Sequence, residues 1–124
     1  MEPQLSTEEA KAAVATKTAP RITEESIKDR IASVEYSRPF TANPNMTVCA
    51  ITMENGFTVT GVSAPASAAN FDPAIGERYA YDNAFKQLWQ LEGYRLREEL
   101  HTGTYGRQDP EGTENLSPGQ EDVL

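Results

Sequence analysis

The chain has 124 residues, enough for one small domain, with a formal net charge of −8 and a mean hydropathy of −0.58. No apolar run approaches the roughly 20 residues of a membrane-spanning helix, and the first residues lack the basic and apolar regions of a secretory signal. The single cysteine, Cys49, excludes a disulfide within the chain, and the acidic balance disfavours long nucleic acids, which bind basic surfaces.

The first 34 residues favour helix. Residues 1–22 are rich in Ala, Thr, Glu and Lys and hold no aromatic residue, which is typical of a disordered or weakly helical tail. Thr23 is suited to cap a clearer helix over residues 23–34. Three apolar residues recur there at the spacing of one helical face: Ile27, Ile31 and Val34.

Residues 46–63 predict a β-hairpin. Apolar residues alternate onto both faces of the segment 46–53, which indicates a central strand. Asn55 and Gly56 predict a type I′ turn, because both residue types tolerate the positive φ angles that this turn needs. The chain then returns as a second strand through residues 57–63.

A long helix is predicted to follow, with Asp72 as its N-cap and Pro73 in its first turn. Small residues on one face would let this helix lie close to the sheet; the face is formed by Gly76, Ala80, Ala84 and Leu88. Gly93 predicts the C-terminal end. We therefore expect a helix over 72–92, a short helix over 94–100 and a disordered acidic tail over 101–124.

These elements predict a single α+β domain over residues 23–100. The N-terminal helix precedes a small antiparallel sheet, and the long helix covers that sheet. A core built from so few residues is marginally stable on its own, because a small domain buries a small fraction of its surface. Self-association is therefore expected from size alone.

Catalytic constellations are missing from the sequence. His101 is the only histidine and lies at the boundary of the tail, and Cys49 lies in a strand, where a core role is expected. No phosphate-binding glycine loop and no metal-ligand spacing occur. We predict no enzymatic activity, no catalytic residue, no metal site and no cofactor.

A binding role fits the aromatic and basic residues that crowd between residues 70 and 97. Aromatic rings stack on bases, arginine binds phosphate, and asparagine can recognise a base edge or a ribose. The candidate ligand-binding residues are Asn70, Phe71, Arg78, Tyr81, Asn83, Arg95 and Arg97. The alternative is that the aromatic side chains belong to the core and the arginines to a solvated surface.

The chain resembles a family of small bacteriophage proteins over about residues 22–100. The shared pieces, in order, are a strand with Cys49, the hairpin Asn55-Gly56-Phe57, the strand end Gly61-Val62-Ser63-Ala64, the helix start Asn70-Phe71-Asp72 with Ile75-Gly76, and the close Trp89, Leu91-Glu92-Gly93-Tyr94 and Leu96. The chain departs from the family at residues 64–67, where members often have a cysteine and an acidic or proline-containing turn.

The resemblance extends to the Thoeris anti-defence proteins of the first type, which are phage-encoded sponges. It implies that the protein sequesters, without degrading it, a small cyclic nucleotide signal of the glycocyclic ADP-ribose class, and that cyclic oligonucleotides are further ligands. It also implies a homodimer or hexamer in the cytoplasm of the infected bacterium. Phe71 would stack on the base, Asn83 would provide polar recognition, and Arg78, Arg95 and Arg97 would bind the pyrophosphate. The alternative is a phage protein that binds and inhibits a host protein, with no nucleotide ligand.

Overall fold

The computed structural model describes residues 1–106. The elements in chain order are helix α1 (Thr7–Ala15), helix α2 (Glu24–Lys28), strands β1 (Ile31–Ser37), β2 (Thr47–Met53) and β3 (Thr58–Ser63), and helix α3 (Pro73–Thr102), with one 3₁₀ turn (Ala68–Asn70) before α3. The predicted α+β class is therefore confirmed. Among the described residues, no helix combines the length and the hydropathy that crossing a membrane requires.

The three strands form one antiparallel sheet in the order β1-β2-β3. The central position predicted for the first hairpin strand is confirmed, because β2 pairs with both neighbours. Alternate residues of β2 are buried towards α3, namely Thr47, Cys49, Ile51 and Met53. Helix α3 packs across β2 and β3. The opposite face of the sheet carries no helix in the described part of the chain.

The core lies between α3 and the sheet. Its buried residues are Ile27, Cys49, Ile51, Met53, Val59, Ala80, Ala84, Phe85 and Leu88. The predicted face of small residues on α3 is confirmed, since Gly76, Ala80, Ala84 and Leu88 are all buried. Small side chains on this face allow the backbone of α3 to lie directly on the sheet.

The prediction of a helix over residues 23–34 is wrong beyond Lys28. Thr23 does cap α2, and its hydroxyl accepts a hydrogen bond of 3.0 Å from the Ser26 amide. The chain then turns and enters β1, whose residues pair with β2. The spacing of Ile31 and Val34 fits one helical face and does not fit the alternation of a regular strand. In β1 a register shift between Ile31 and Ser33 places both residues opposite buried residues of β2, Met53 and Ile51, so their spacing is misleading.

The predicted helix end at Gly93 is also wrong, because α3 continues without a break to Thr102. The helix end is instead at Gly103, which has φ 76° and donates its amide hydrogen to the Glu99 carbonyl. A glycine inside a helix costs only about 1 kcal/mol, so contacts on either side of Gly93 suffice to carry the helix through it. The single helix of 30 residues therefore replaces the predicted pair of helices.

The hairpin turn is correct in position and wrong in type. Only Gly56, with φ 93°, has a positive φ angle in this turn, whereas a type I′ turn needs two such residues. The Gly56 amide donates to the Met53 carbonyl, and the Met53 amide donates to the Phe57 carbonyl at 2.8 Å each. The loop therefore has three residues and places its glycine at the last one, a common hairpin form.

Helix α1 lies within the predicted tail of residues 1–22. Ser6 is its N-cap, and Glu9 completes a capping box with it. Helix α1 buries none of its residues. The tail predicted over residues 101–124 falls outside the described residues from position 107 onwards.

Candidate functional site

Two cavities open beside the first turns of α3. The first, which we call the β1 cavity, has a volume of about 290 Å³ and is lined by Tyr36, Ser37, Arg38, Thr47, Pro73 and Glu77. The second, the Phe71 cavity, has about 190 Å³, and its lining includes Asn70, Phe71, Asp72, Gly76 and Tyr79. Thr47 and Gly76 are in contact, so the two cavities lie side by side.

Phe71 and Arg38 form a cation–π pair at this site. The Arg38 guanidinium carbon lies 5.1 Å from the centroid of the half-buried Phe71 ring, a cation–π distance. Arg38 lines the β1 cavity and Phe71 lines its neighbour, so the pair connects the two. A stacking ring and a phosphate-binding cation therefore lie together, and Asn70 lies beside them.

Thr47 adds a buried polar atom at the base of the site. Its side chain is 2 % exposed, and its hydroxyl oxygen has no hydrogen-bond partner among the described residues. A Cβ on Gly76 would lie 2.8 Å from this oxygen, so Gly76 leaves the room that the Thr47 hydroxyl occupies. An unpaired buried hydroxyl costs free energy, and a bound polar group could recover it.

The N-terminus of α3 is already occupied by its own cap. The Asp72 carboxylate accepts hydrogen bonds from the amides of Ala74 at 2.9 Å and Ile75 at 3.5 Å. The predicted cap at Asp72 and Pro73 is thus confirmed. Because this carboxylate takes up the free amides and offsets the helix dipole, positive charge for an anion must come from side chains such as Arg38.

Asn83 and Gln87 bind the edge of the sheet. The side-chain Nδ2 of Asn83 donates to the Val62 backbone carbonyl at 2.9 Å, and the side-chain Nε2 of Gln87 donates to the Thr60 backbone carbonyl at 2.6 Å. Both carbonyls belong to β3, an edge strand. The side chain predicted to recognise a nucleotide at position 83 therefore holds α3 against β3 in this structure.

Arg78 and Tyr81 lie one to two turns into α3. Arg78 forms an ion pair with Asp82 at 2.8 Å, and its guanidinium carbon lies 5.6 Å from the Tyr81 ring centroid. Tyr81 in turn stacks on Phe85 with the ring centroids 5.6 Å apart. The Arg78 side chain is 70 % exposed, so its pairing with Asp82 is exchangeable with a ligand.

Arg95 and Arg97 lie far from Phe71 within one chain. At 1.5 Å per residue, Arg95 is about 33 Å from Pro73 along the axis of α3. Arg95 pairs with Glu92 at 3.0 Å and with Glu99 at 2.6 Å, and Arg97 is exposed. The structure therefore does not bring these two arginines to Phe71 or Arg38 in a single copy.

Glu92 is a buried carboxylate that the sequence interpretation did not single out. It is 5 % exposed, and its Oε1 lies 2.8 Å from Arg30 Nε and 3.0 Å from Arg95 Nε. Arg30 also binds Glu54 at 2.9 Å. The network joins α3 to the turn before β1 and to the hairpin. A signal was present, because Glu92 continues the buried four-residue spacing of Ala84 and Leu88.

Cys49 is not poised for chemistry. The thiol is fully buried, and burial raises its pKa above the ordinary value of 9.0, while the Tyr36 hydroxyl acts in the opposite direction. A protonated thiol is a weak nucleophile. Within residues 1–106 there is also no group of three or more His, Cys, Asp or Glu residues that could hold a metal ion.

The structure is a small two-layer α+β domain with two adjoining cavities at the start of the long helix. The chain belongs to the Phage protein (N4 Gp49/phage Sf6 gene 66) family, whose model matches residues 22–100. No curated protein and no solved structure matches the chain. The predicted resemblance to small bacteriophage proteins is therefore confirmed at the level of the family.

Proposed function

We propose that the protein binds and sequesters a cyclic nucleotide immune signal, a cyclic ADP-ribose isomer or a cyclic oligonucleotide, and so blocks Thoeris-type immunity of the infected bacterium. The observation that carries the proposal is the pair of Phe71 and Arg38 between two adjoining cavities. The ring offers a stacking surface for a base, and the guanidinium offers paired donors for a phosphate. Membership of a phage protein family supports a role during infection.

Sequestration without degradation is proposed from the placement of the reactive groups. The Cys49 thiol is buried, and its pKa is raised. His101 lies in the last turn of α3, about 42 Å from Pro73 along the helix axis. Neither group can reach a ligand held at Phe71 within one copy, so the proposed ligand leaves the site as it entered.

The proposal includes a homo-oligomer, a dimer or a hexamer, with the site shared between copies. Each cavity, at about 290 and 190 Å³, is below the usual range of about 300–1,000 Å³ for a small-molecule pocket. A second copy would enlarge the enclosed volume. Arg95 and Arg97 belong to the site in this proposal only as residues that come from another copy.

Calorimetry with the full chain tests the proposal. Titration with cyclic ADP-ribose isomers and with cyclic di- and trinucleotides is expected to give saturable heat for at least one of them. Denaturation of the complex should then release the ligand with its mass unchanged. Absence of heat with every compound contradicts the proposal, and a released ligand of altered mass indicates an enzyme instead.

Phe71→Ala is the sharpest variant for this test. Loss of one stacked base is worth about 1–3 kcal/mol, so we expect an affinity about 5- to 150-fold weaker. Phe57→Ala is the matched control, because Phe57 is 55 % exposed at the hairpin and lies away from both cavities. Equal losses in the two variants would remove Phe71 from the proposed site.

Arg38→Gln tests the phosphate contact separately. A hydrogen bond to a charged group contributes about 1.5–3 kcal/mol, which corresponds to a loss of about 10- to 150-fold in affinity. Lys86→Gln on the exposed side of α3 removes the same charge from a different surface and should bind as the unaltered protein does. If both variants bind equally well, Arg38 does not hold the phosphate.

A further inference from the structure

The two edges of the sheet differ in how their backbone groups are used. The Met53 amide donates to the Phe57 carbonyl, so the backbone groups of Val59 and Gly61 also point towards β2, and those of Thr60 and Val62 point outwards. The outward carbonyls of Thr60 and Val62 are the two that accept hydrogen bonds from Gln87 and Asn83. Side chains of α3 therefore occupy two outward carbonyls of the β3 edge, while the outward amides of Thr60 and Val62 have no hydrogen-bond partner within residues 1–106.

The β1 edge differs, because its outward backbone groups are left open. The backbone groups of β2 that do not point to β3 belong to residues 48, 50 and 52, whose partners on β1 are Ser37, Glu35 and Ser33. The intervening residues Val34 and Tyr36 therefore direct their amides and carbonyls outwards. Within residues 1–106, no side chain or backbone group hydrogen-bonds these outward groups. An open edge of this kind is a template for strand addition.

The helix side of β1 is also left uncovered. Val34 and Tyr36 lie opposite Ile51 and Cys49, which are buried beneath α3, and so they share that face of the sheet. Nevertheless Val34 is 36 % exposed and Tyr36 is 41 % exposed, because α3 covers only β2 and β3. Apolar side chains on an open edge strand mark an interaction surface.

We propose that β1 pairs antiparallel with β1 of a second copy of this chain, around a two-fold axis at Val34. Val34 is the midpoint of β1, and the strand pairs regularly with β2 from Ser33 onwards, whereas its register shifts between Ile31 and Ser33. The regular pairing between the two copies is therefore centred on Ser33, Val34 and Glu35, and Ile31 and Ala32 lie outside it. The outward groups of Val34 exchange two hydrogen bonds with Val34 of the second copy, and Tyr36 lies near Ala32, the residue at the register shift of β1. This pairing would form the interface of the homo-oligomer proposed above. It rests on the proposed function only for the claim that a ligand binds between the copies.

The side chains of β1 agree with this register. Glu35 lies opposite Ser33 of the second copy, so the acidic side chains do not face each other directly. A two-fold axis at Glu35 would place two carboxylates directly opposite each other, which is unfavourable. The backbone amide and carbonyl of Glu35 also point towards β2, so they could not bond the second copy. The side chain of Glu35 is the one charged group within β1.

The resulting assembly is a continuous six-stranded sheet with both copies of α3 on the same face. A groove runs between the two helices, and the Val34 and Tyr36 side chains of both copies form its floor. The β1 cavity, lined by Tyr36, Ser37 and Arg38, opens at this groove. Residues near the start of the second copy's β1 then form a further wall of the cavity, which enlarges a volume that one copy leaves small.

Proline substitution tests the pairing with a matched control. Val34→Pro removes an outward amide and leaves the ladder to β2 intact, because edge strands tolerate proline where the amide faces away from the sheet. In native mass spectrometry the unaltered chain should give twice the subunit mass of 13.6 kDa, and Val34→Pro should give the monomer. Thr60→Pro removes an outward amide from the β3 edge and should remain dimeric. A monomeric unaltered chain, or a Val34→Pro dimer, overturns the proposal.

A cysteine pair tests the register without weakening the strand. Val34→Cys brings two thiols together at the two-fold axis, where the Cα atoms are about 5.5 Å apart, and mild oxidation should link the copies. Ser33→Cys places its two Cα atoms diagonally, about 7–8 Å apart, and should not cross-link. Cross-linking of Ser33→Cys alone overturns the register. Both measurements are made without nucleotide, so they succeed or fail independently of the proposed function.

Discussion

Gly61 of β3 lies directly against the backbone of Ala80 in α3. A Cβ at Gly61 would lie 2.3 Å from the Ala80 carbonyl oxygen and 2.3 Å from the Ala84 amide nitrogen. No side chain lies between the helix and the strand at this point, so the backbones determine the separation of the two layers. The sequence Gly61-Val62-Ser63-Ala64 in the family pattern thus has a packing reason at its first residue.

Gly61→Ala is expected to destabilise the fold. The added methyl group meets backbone atoms of Ala80, Asn83 and Ala84, which cannot rotate away, so α3 must move off the sheet. Overpacking of this kind costs about 1–3 kcal/mol, and rigid backbone neighbours place the variant at the upper end. Urea unfolding followed by circular dichroism measures the loss, and an unchanged midpoint would show that the contact is looser than the structure has it.

Gly93→Ala should have the opposite sign. Gly93 lies inside α3, and a Cβ there would meet nothing within 4 Å. Alanine is favoured over glycine in a helix interior by about 0.5–1 kcal/mol, so the free energy of unfolding should rise by this amount. The same urea experiment measures it. A decrease would mean that the helix bends or ends at Gly93 in solution.

Glu92→Gln should lower the free energy of unfolding by about 1.5–3 kcal/mol, because it removes the charge that Arg30 and Arg95 share. Glu54→Gln is the control. Glu54 contacts the same Arg30 from an exposed position, and such a pair contributes about 0–1 kcal/mol. Thermal unfolding of the two variants should therefore separate them, and similar melting temperatures would argue that Glu92 is solvated.

Asn83→Ala distinguishes a structural role from a ligand-binding role. The Asn83 amide bonds the Val62 carbonyl, so its loss should lower the free energy of unfolding by about 0.5–1.5 kcal/mol even without a ligand. Gln87→Ala removes the equivalent bond to Thr60 and serves as the comparison. If Asn83→Ala melts like the unaltered protein but loses nucleotide binding, its predicted part in recognition is the dominant one.

Cys49 should resist alkylation until the protein unfolds. Iodoacetamide reacts with an accessible thiolate, whereas this thiol is buried and has a raised pKa. Mass spectrometry should find no label in native buffer and one label in denaturant, and an added surface thiol in Lys86→Cys should be labelled at once. Burial raises the pKa of the folded Cys49 thiol above the ordinary value of 9.0, so the unfolded chain loses this proton first as the pH rises. The free energy of unfolding should therefore fall above pH 9.

The sequence predicts the parts of the fold that depend on local chemistry. The Thr23 and Asp72 caps, the hairpin position and the buried face of α3 follow from capping, turn preference and periodicity, and each is confirmed. The strand β1 could not be predicted in the same way, because a register shift between Ile31 and Ser33 gives its apolar residues the spacing of a helical face. The continuation of α3 past Gly93 likewise depends on distant contacts, those of Glu92 with Arg30.

The candidate site, too, could be predicted only where its residues are neighbours in the sequence. Asn70 and Phe71 are found at one cavity, as expected for neighbours at a helix start. Arg38 could not be assigned to them from the sequence, because it lies 33 positions before Phe71 and reaches it only through the sheet. The predicted parts of Arg78, Tyr81, Asn83, Arg95 and Arg97 in ligand binding stay predictions.

The amide side chains of Asn83 and Gln87 have a consequence for the growth of any assembly. A sheet with two open edges can add copies without limit and become a fibre. Here the outward carbonyls of Thr60 and Val62 already accept hydrogen bonds from α3, so a strand added at the β3 edge could not form a full ladder. Association through strands is therefore hindered at β3 relative to β1, which favours a pair of copies, and a hexamer would then be built from such pairs through contacts of a different kind.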